Sequence, residues 1–326
     1  MIRVGLVSSA HLHVGSYARV LNQMSDRVQV VGGWDDEPTR MAQLCATYGW
    51  NTFATLDELL AASDAVVICS ENLKHADHIE AAVAAGCHVL CEKPIVGSEA
   101  DAARIKALLP GLKTTLMTAF PCPFSPVFAD LKARVQKGEI GQVLALATTN
   151  RGTCPGGWFT DPSLSGGGAM IDHTVHVTDL LRRVLGAEPV RVQAQTGNNR
   201  FQGEFDDTAM VTIEFPGGIF ATLDSSWSRP AGYKTWGDVT LRVVGDQGIA
   251  EADLFGYGME VYPTDASGLH MNGIGADLDR LMVEEFLNAI AEGREPLTSA
   301  QDGLAASAVA LAAYRSLGQP VPAPGV

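Results

Sequence analysis

The first 120 residues alternate without a break between short apolar runs and stretches of helical period, which leaves few ways for them to fold. Residues 3–7, 28–33, 65–69, 88–91 and 114–119 are of strand length and almost wholly apolar. Between them, Val14, Tyr17, Leu21 and Met24 fall on one helical face. Residues 38–48, 75–85 and 98–109 have helical character, and Thr55 with Glu58 three residues on opens a further helix as a capping box. Strands separated by helices pair in parallel through crossovers, and continuous apolar runs suit strands covered on both faces. The pattern predicts an α/β doubly wound parallel sheet of Rossmann type over residues 1–120.

Beyond Pro121 and Pro123 the pattern changes. Helical stretches at 125–137, 169–185, 277–292 and 300–317 frame strands at 143–150, 190–195, 208–215, 219–227 and 239–244. Several of these strands alternate apolar and polar residues, the mark of a sheet with one wet face. The expectation is a second, α+β domain over 121–326 with a largely antiparallel sheet.

Charge and composition exclude some functions. A formal net charge of −14 opposes nucleic acid, whose phosphates need a basic surface. No apolar run approaches the ~20 residues of a membrane span. The chain enters its first strand at once, so no secretory leader is expected, and its six cysteines lack CxxC spacing. Reduced thiols in a cytoplasmic protein are expected.

Open parallel sheets bind ligands outside the carboxyl ends of their strands. At the first such end stands Ser8-Ser9-Ala10-His11-Leu12-His13, with no glycine of a G-x-G-x-x-G fingerprint. Small side chains at Ser8 and Ala10 still admit a pyrophosphate, and the helix start at His11 and Leu12 offers N–H groups to it. Asp35, ending the second strand, suits the ribose hydroxyls of NAD and opposes the 2′-phosphate of NADP. The nearest arginine is Arg40. At the fourth strand end, Glu92-Lys93-Pro94 sets a lysine where it can orient a hydroxyl or stabilise an oxyanion.

Two motifs carry a family resemblance. Cys69-Ser70-Glu71-Asn72-Leu73-Lys74-His75, an alanine-rich helix, and Ala85-Gly86-Cys87-His88-Val89-Leu90-Cys91-Glu92-Lys93-Pro94 form the first. Gly166-Gly167-Gly168 followed by Asp172, His176 and Asp179 forms the second, with Thr174 where that motif has glycine. The chain resembles the glucose-fructose oxidoreductase/inositol dehydrogenase (Gfo/Idh/MocA) family. The resemblance implies an NAD(P)-dependent oxidoreductase acting on a secondary hydroxyl of a sugar, cyclitol or related polyol. It implies that Lys93, Asp172 and His176 converge beside the nicotinamide, and that Ser70, Asn72, His75 and Glu92 border the cofactor. It also implies a homo-oligomer, dimer or tetramer, joined through the outer face of the second sheet.

The second motif makes chemical sense on a helix. Asp172, His176 and Asp179 lie at i, i+4 and i+7, one stripe. Oxidising an alcohol needs a base for the hydroxyl proton, and imidazole titrates nearest neutrality. Arg151, Trp158, His173 and Lys234 are candidates for the wall of a sugar pocket, a tryptophan ring stacking on the sugar's apolar face. No metal is expected. A metal-assisted lyase or hydrolase of an oxidised glycoside, using His11, His13, His173 and His176, is the alternative, and a non-catalytic sugar or nucleotide sensor is the third.

Overall fold

The computed structural model describes residues 1–256 and 275–318, with the backbone of 259–261, 270–272 and 321–322. The first lobe runs β1 (Ile2–Val7), α1 (Val14–Gln23), β2 (Val28–Trp34), α2 (Pro38–Tyr48), β3 (Asn51–Thr52), α3 (Leu56–Ala62), β4 (Ala65–Ile68), α4 (His75–Ala84), β5 (His88–Cys91), α5 (Glu99–Leu108) and β6 (Leu116–Thr118). Its sheet has the order β3-β2-β1-β4-β5-β6, every pair parallel. The order reverses between β1 and β4, which opens a crevice there at the carboxyl ends. Thr55 caps α3 as its sequence announces, both halves of the capping box being formed. The two-residue edge strand β3 is an addition to the five strands expected.

The second lobe follows as α6 (Pro126–Gln136), β7 (Val143–Thr149), α7 (Pro162–Ser165), α8 (Ala169–Leu185), β8 (Arg191–Gly197), β9 (Thr208–Glu214), β10 (Phe220–Asp224), β11 (Thr240–Gly245) and β12 (Ile249–Asp253). A hairpin of β13 (Met259–Val261) and β14 (His270–Asn272), helices α9 (Leu278–Glu292) and α10 (Ala300–Arg315), and β15 (Val321–Pro322) complete the described chain. Seven strands form the second sheet, in the order β12-β11-β7-β10-β9-β8-β15. All its pairs are antiparallel except β7 with β10. Val192, Ala194, Val211, Ile213, Leu223 and Val243 point from this sheet into a core shared with Val177, Leu180 and Leu181 of α8. The other face carries exposed Met210 and Phe220.

Two closing helices cross back to the first lobe. Met282, Val283, Phe286 and Leu287 of α9 pack with Val4, Leu6, Tyr17 and Leu21. Ala300 and Leu304 of α10 join Ile95, Ile105 and Leu116. Helix α8 lies between the lobes, with Asp172, His173, Thr174 and His176 all buried. Asp172 and His176 of its polar stripe line a cavity, whereas Asp179, the third member, turns to Arg183 of its own helix, which donates to both its oxygens at 2.8 Å.

Candidate active site

Lys93 stands two residues past the end of β5, beside a cis Lys93–Pro94 bond, and only 4% of it is exposed. Its Nζ donates to Asp172 Oδ1 at 2.5 Å, so a cation of one lobe meets an anion of the other. The second carboxylate oxygen of Asp172 accepts from Trp227 Nε1 at 3.2 Å and lies 3.2 Å from His173 Nε2. Burial would raise the Asp172 carboxyl, but the Lys93 ammonium and His173 hold it well below the usual carboxylate range.

The glycine run before α8 has a packing reason. A Cβ on Gly168 would stand 2.1 Å from the carbonyl oxygen of Asp206. Through that close approach Asp206 accepts from Gly168 N (3.1 Å) and Met170 N (2.7 Å), taking up N–H groups at the helix start. Tyr314 holds Asp206 in turn, its hydroxyl donating at 2.6 Å.

His176 sits one turn beyond Asp172, its ring edge-on to Phe120 with centroids 5.7 Å apart. Burial, and then the nearby Lys93 ammonium, hold its imidazole well below histidine's ordinary value, so it is neutral at pH 7. Nδ1 is buried without a partner, which leaves Nε2 as the nitrogen open to a ligand. Lys93, Asp172, His173 and His176 share the wall of a cavity of about 810 Å³ with Asn150 and Arg151. The Arg151 guanidinium is braced on Asp238 by bonds of 2.7 and 3.0 Å.

Other expected residues lie elsewhere. Trp158 is absent from the cavity wall, donating from Nε1 to Ala10 O at 3.0 Å and stacking on Phe159, which does line it. Lys234 is also outside the lining. His75 is fully buried, its Nδ1 2.8 Å from Pro94 O and its Nε2 3.1 Å from Ser70 O. It therefore ties the lysine turn to the end of β4 and presents nothing to a cofactor. Ser70 is equally enclosed, its hydroxyl bonded to His78 Nδ1 at 2.9 Å. Asn72 donates across the lobes to Ser165 O at 2.8 Å.

The first turn compensates for its missing glycines. Ser8 takes a left-handed conformation, φ 64°, and its hydroxyl accepts from Ala10 N at 3.2 Å. His11 folds inward against Phe159, and His13 turns onto Glu92, Nδ1 to Oε1 3.0 Å. Tyr17 donates to the same oxygen at 2.5 Å, and the Lys93 N–H reaches Oε2 at 3.1 Å. Burial would raise the Glu92 carboxyl, yet His11, His13 and Lys93 hold it far below its usual range. His13, expected to serve the metal-assisted alternative, is engaged by Glu92 instead, and Tyr17 has no motif to announce it, only its place on the buried face of α1.

Among the described residues, the grouping with metal-ligand spacing is His11, His13 and Glu92, within 4.8 Å of one another. It does not join His173 or His176, as the metal-assisted alternative requires. Both Glu92 oxygens already accept protein donors.

Of the N–H groups expected to face a phosphate at His11 and Leu12, that of His11 is taken by Cys69 O at 2.8 Å. Among the described residues, Ser8, Ser9, Ala10, His11, His13 and Val14 each donate their N–H within the chain, whereas Leu12 does not. A helix start offers such an N–H to an anion.

Residues 2–120 match the model of an oxidoreductase family with an NAD-binding Rossmann fold, and residues 128–251 match the Gfo/Idh/MocA C-terminal domain. Inositol 2-dehydrogenase of Rhizobium meliloti (strain 1021) is 30% identical over 335 residues, covering 98% of this chain and 97% of that protein. D-glucoside 3-dehydrogenase of Escherichia coli (strain K12) is 28% identical over 250 residues, 70% of each chain. Among solved structures, GenD2 from gentamicin A biosynthesis, in complex with NAD, superposes with a TM-score of 0.90 at 27% identity, covering 99% of this chain and 97% of that one. With both lobes matched and a full-length relative at this identity, the chain belongs to the Gfo/Idh/MocA family of oxidoreductases.

Proposed function

We propose that the protein is an NAD-dependent dehydrogenase acting on a secondary hydroxyl of a cyclitol, sugar or related polyol. The observation that carries this reading is the contact of Lys93 with Asp172 on the wall that also holds His176. Bound nicotinamide supplies the hydride acceptor. The chain's own groups handle the proton: neutral His176 accepts it from the substrate hydroxyl at Nε2. The Lys93 ammonium donates to the substrate oxygen as negative charge grows on it. Asp172 aims that ammonium, and Trp227 fixes Asp172. Ser8, Ala10, His11 and Leu12 shape the phosphate end; Asn72 and Glu92 brace the junction and the turn carrying Lys93. His173 and Arg151 meet substrate on the cavity wall. The relatives' names, inositol 2-dehydrogenase and D-glucoside 3-dehydrogenase, support the substrate class.

The test is incubation with NAD and a panel of cyclitols, aldoses and methyl glycosides, followed at the reduced-nicotinamide absorbance. Substrate-dependent reduction is expected for at least one ring hydroxyl compound. No reduction across the panel, with NAD bound, sinks the reading.

Six free cysteines support a reducing, cytoplasmic setting. Among the described residues, no helix is long and apolar enough to cross a membrane. Exposed Met210 and Phe220 on the outer face of the second sheet support a homo-oligomer through that face, measurable as a dimer or tetramer by light scattering. A two-domain division after residue 120 is supported by the change of sheet type there.

A further inference from the structure

The acid expected to read the adenosine ribose is closed off. Asp35 has no side-chain exposure, and its two oxygens accept from five donors. Ser8 Oγ (3.3 Å), Ser9 N (2.7 Å) and Ser9 Oγ (3.0 Å) reach Oδ2; Glu37 N (2.9 Å) and Arg40 Nη2 (2.7 Å) reach Oδ1. A carboxylate offers about four lone-pair sites. Asp35 is thus fully engaged in holding the glycine-free turn and has none to offer a diol.

The next residue is differently placed. Asp36 has 42% of its side chain exposed at the same strand end. It faces Arg40, 2.9 Å from Nη2, and the Lys74 ammonium. Both cations also reach Glu71, at 3.2 and 3.0 Å, and both are about one-third exposed. Three carboxylates thus surround two cations, a balance that repels a dianionic phosphate. Without Asp36 the accessible charge would be cationic.

We propose that Asp36, not Asp35, is the residue that selects NAD over NADP in this protein, by occupying Arg40 and Lys74 and offering the exposed carboxylate to the ribose diol. Asp35 is a positioning residue for the first turn. The inference rests on the NAD-dependent reading above.

Calorimetric titration of the purified full chain with NAD and with NADP tests it, alongside melting of the nucleotide-free protein. Asp36→Ala is expected to shift the ratio of the two dissociation constants at least tenfold toward NADP, with little change in melting temperature. Asp35→Asn is expected to leave that ratio within about twofold while lowering the nucleotide-free melting temperature, because an NH2 group replaces one of the two acceptor oxygens and faces donors. An unchanged ratio in Asp36→Ala, or a tenfold shift in Asp35→Asn, overturns the proposal. If the unaltered protein binds neither nucleotide, the functional reading itself falls. If it binds NAD yet Asp36→Ala moves nothing, only the present inference falls.

Discussion

Lys93 and Asp172 are each 7% exposed or less, so their charges depend on one another. Removing one partner of a buried pair typically costs about 3–5 kcal/mol, because the remaining charge is stranded. Lys93→Met is therefore expected to lower the melting temperature as well as to cut turnover by about 10²-fold or more. Adding Asp172→Asn should recover much of the melting temperature and none of the turnover, since no charge is then stranded but the ammonium is still missing. Recovery of turnover in the double variant would remove Lys93 from the chemistry. A second expectation concerns His176, whose imidazole lies below its ordinary value of 6.5. A base works when unprotonated, so alcohol oxidation should hold steady as pH falls from 8 through 6.5 and fail only below that. A rate that halves at 6.5 or above would point to a different base. That Lys93, Asp172 and His176 come to one wall was legible because each belongs to a motif at a readable place on a strand end or helix. Tyr17, Trp227 and Asp206 were not: each meets its partner across 35 residues or more of intervening chain.

At the scale of elements, alternation and caps carried the reading furthest. The apolar runs of β1, β4 and β5 became strands buried on both faces, and the capping box at Thr55 closed as written. β3 has no signal in the sequence because Asn51 and Thr52 are both exposed, with no apolar residue to set a period. In β12 only Ala252 is buried, so its alternation is weak. Helix α10 shows what helical period cannot convey. Gly303 lies in its interior, where alanine is preferred by about 1 kcal/mol on propensity alone. A Cβ there would meet Thr118 Oγ1 at 2.1 Å and Ile95 Cγ2 at 2.9 Å. Both belong to a tightly packed junction, and overpacking costs about 1–3 kcal/mol. Gly303→Ala should therefore lower the melting temperature despite its better propensity. A rise would mean that α10 can slide on β6 without penalty.

Across the whole molecule the lobes are less separable than their sequences suggest. Periodicity reveals that α9 has an apolar face; it does not say which core receives it. Met282, Val283, Phe286 and Leu287 enter the core under β1 and α1, more than 260 residues earlier in the chain. Ser16 Oγ reaches Asp279 at 2.5 Å, and Arg19 reaches Asp277 at 3.0 Å, along the same seam. A fragment cut at the 120/121 boundary would expose Val4, Leu6, Tyr17 and Leu21 where those four side chains had lain. Each large apolar group left uncovered forfeits about 1.5–3 kcal/mol, and domains hold only about 5–15 kcal/mol in reserve. Residues 1–120 alone should accordingly keep far-UV helix signal, lose near-UV structure, bind an apolar dye and melt without a sharp transition. In the intact chain, Phe286→Ala should destabilise by about 3–5 kcal/mol and lower one common transition, because that ring, carried by the second half of the polypeptide, fills the core of the first. Two separate transitions, with only the earlier one moved, would show that α9 docks on the first lobe without binding the molecule into one cooperative unit.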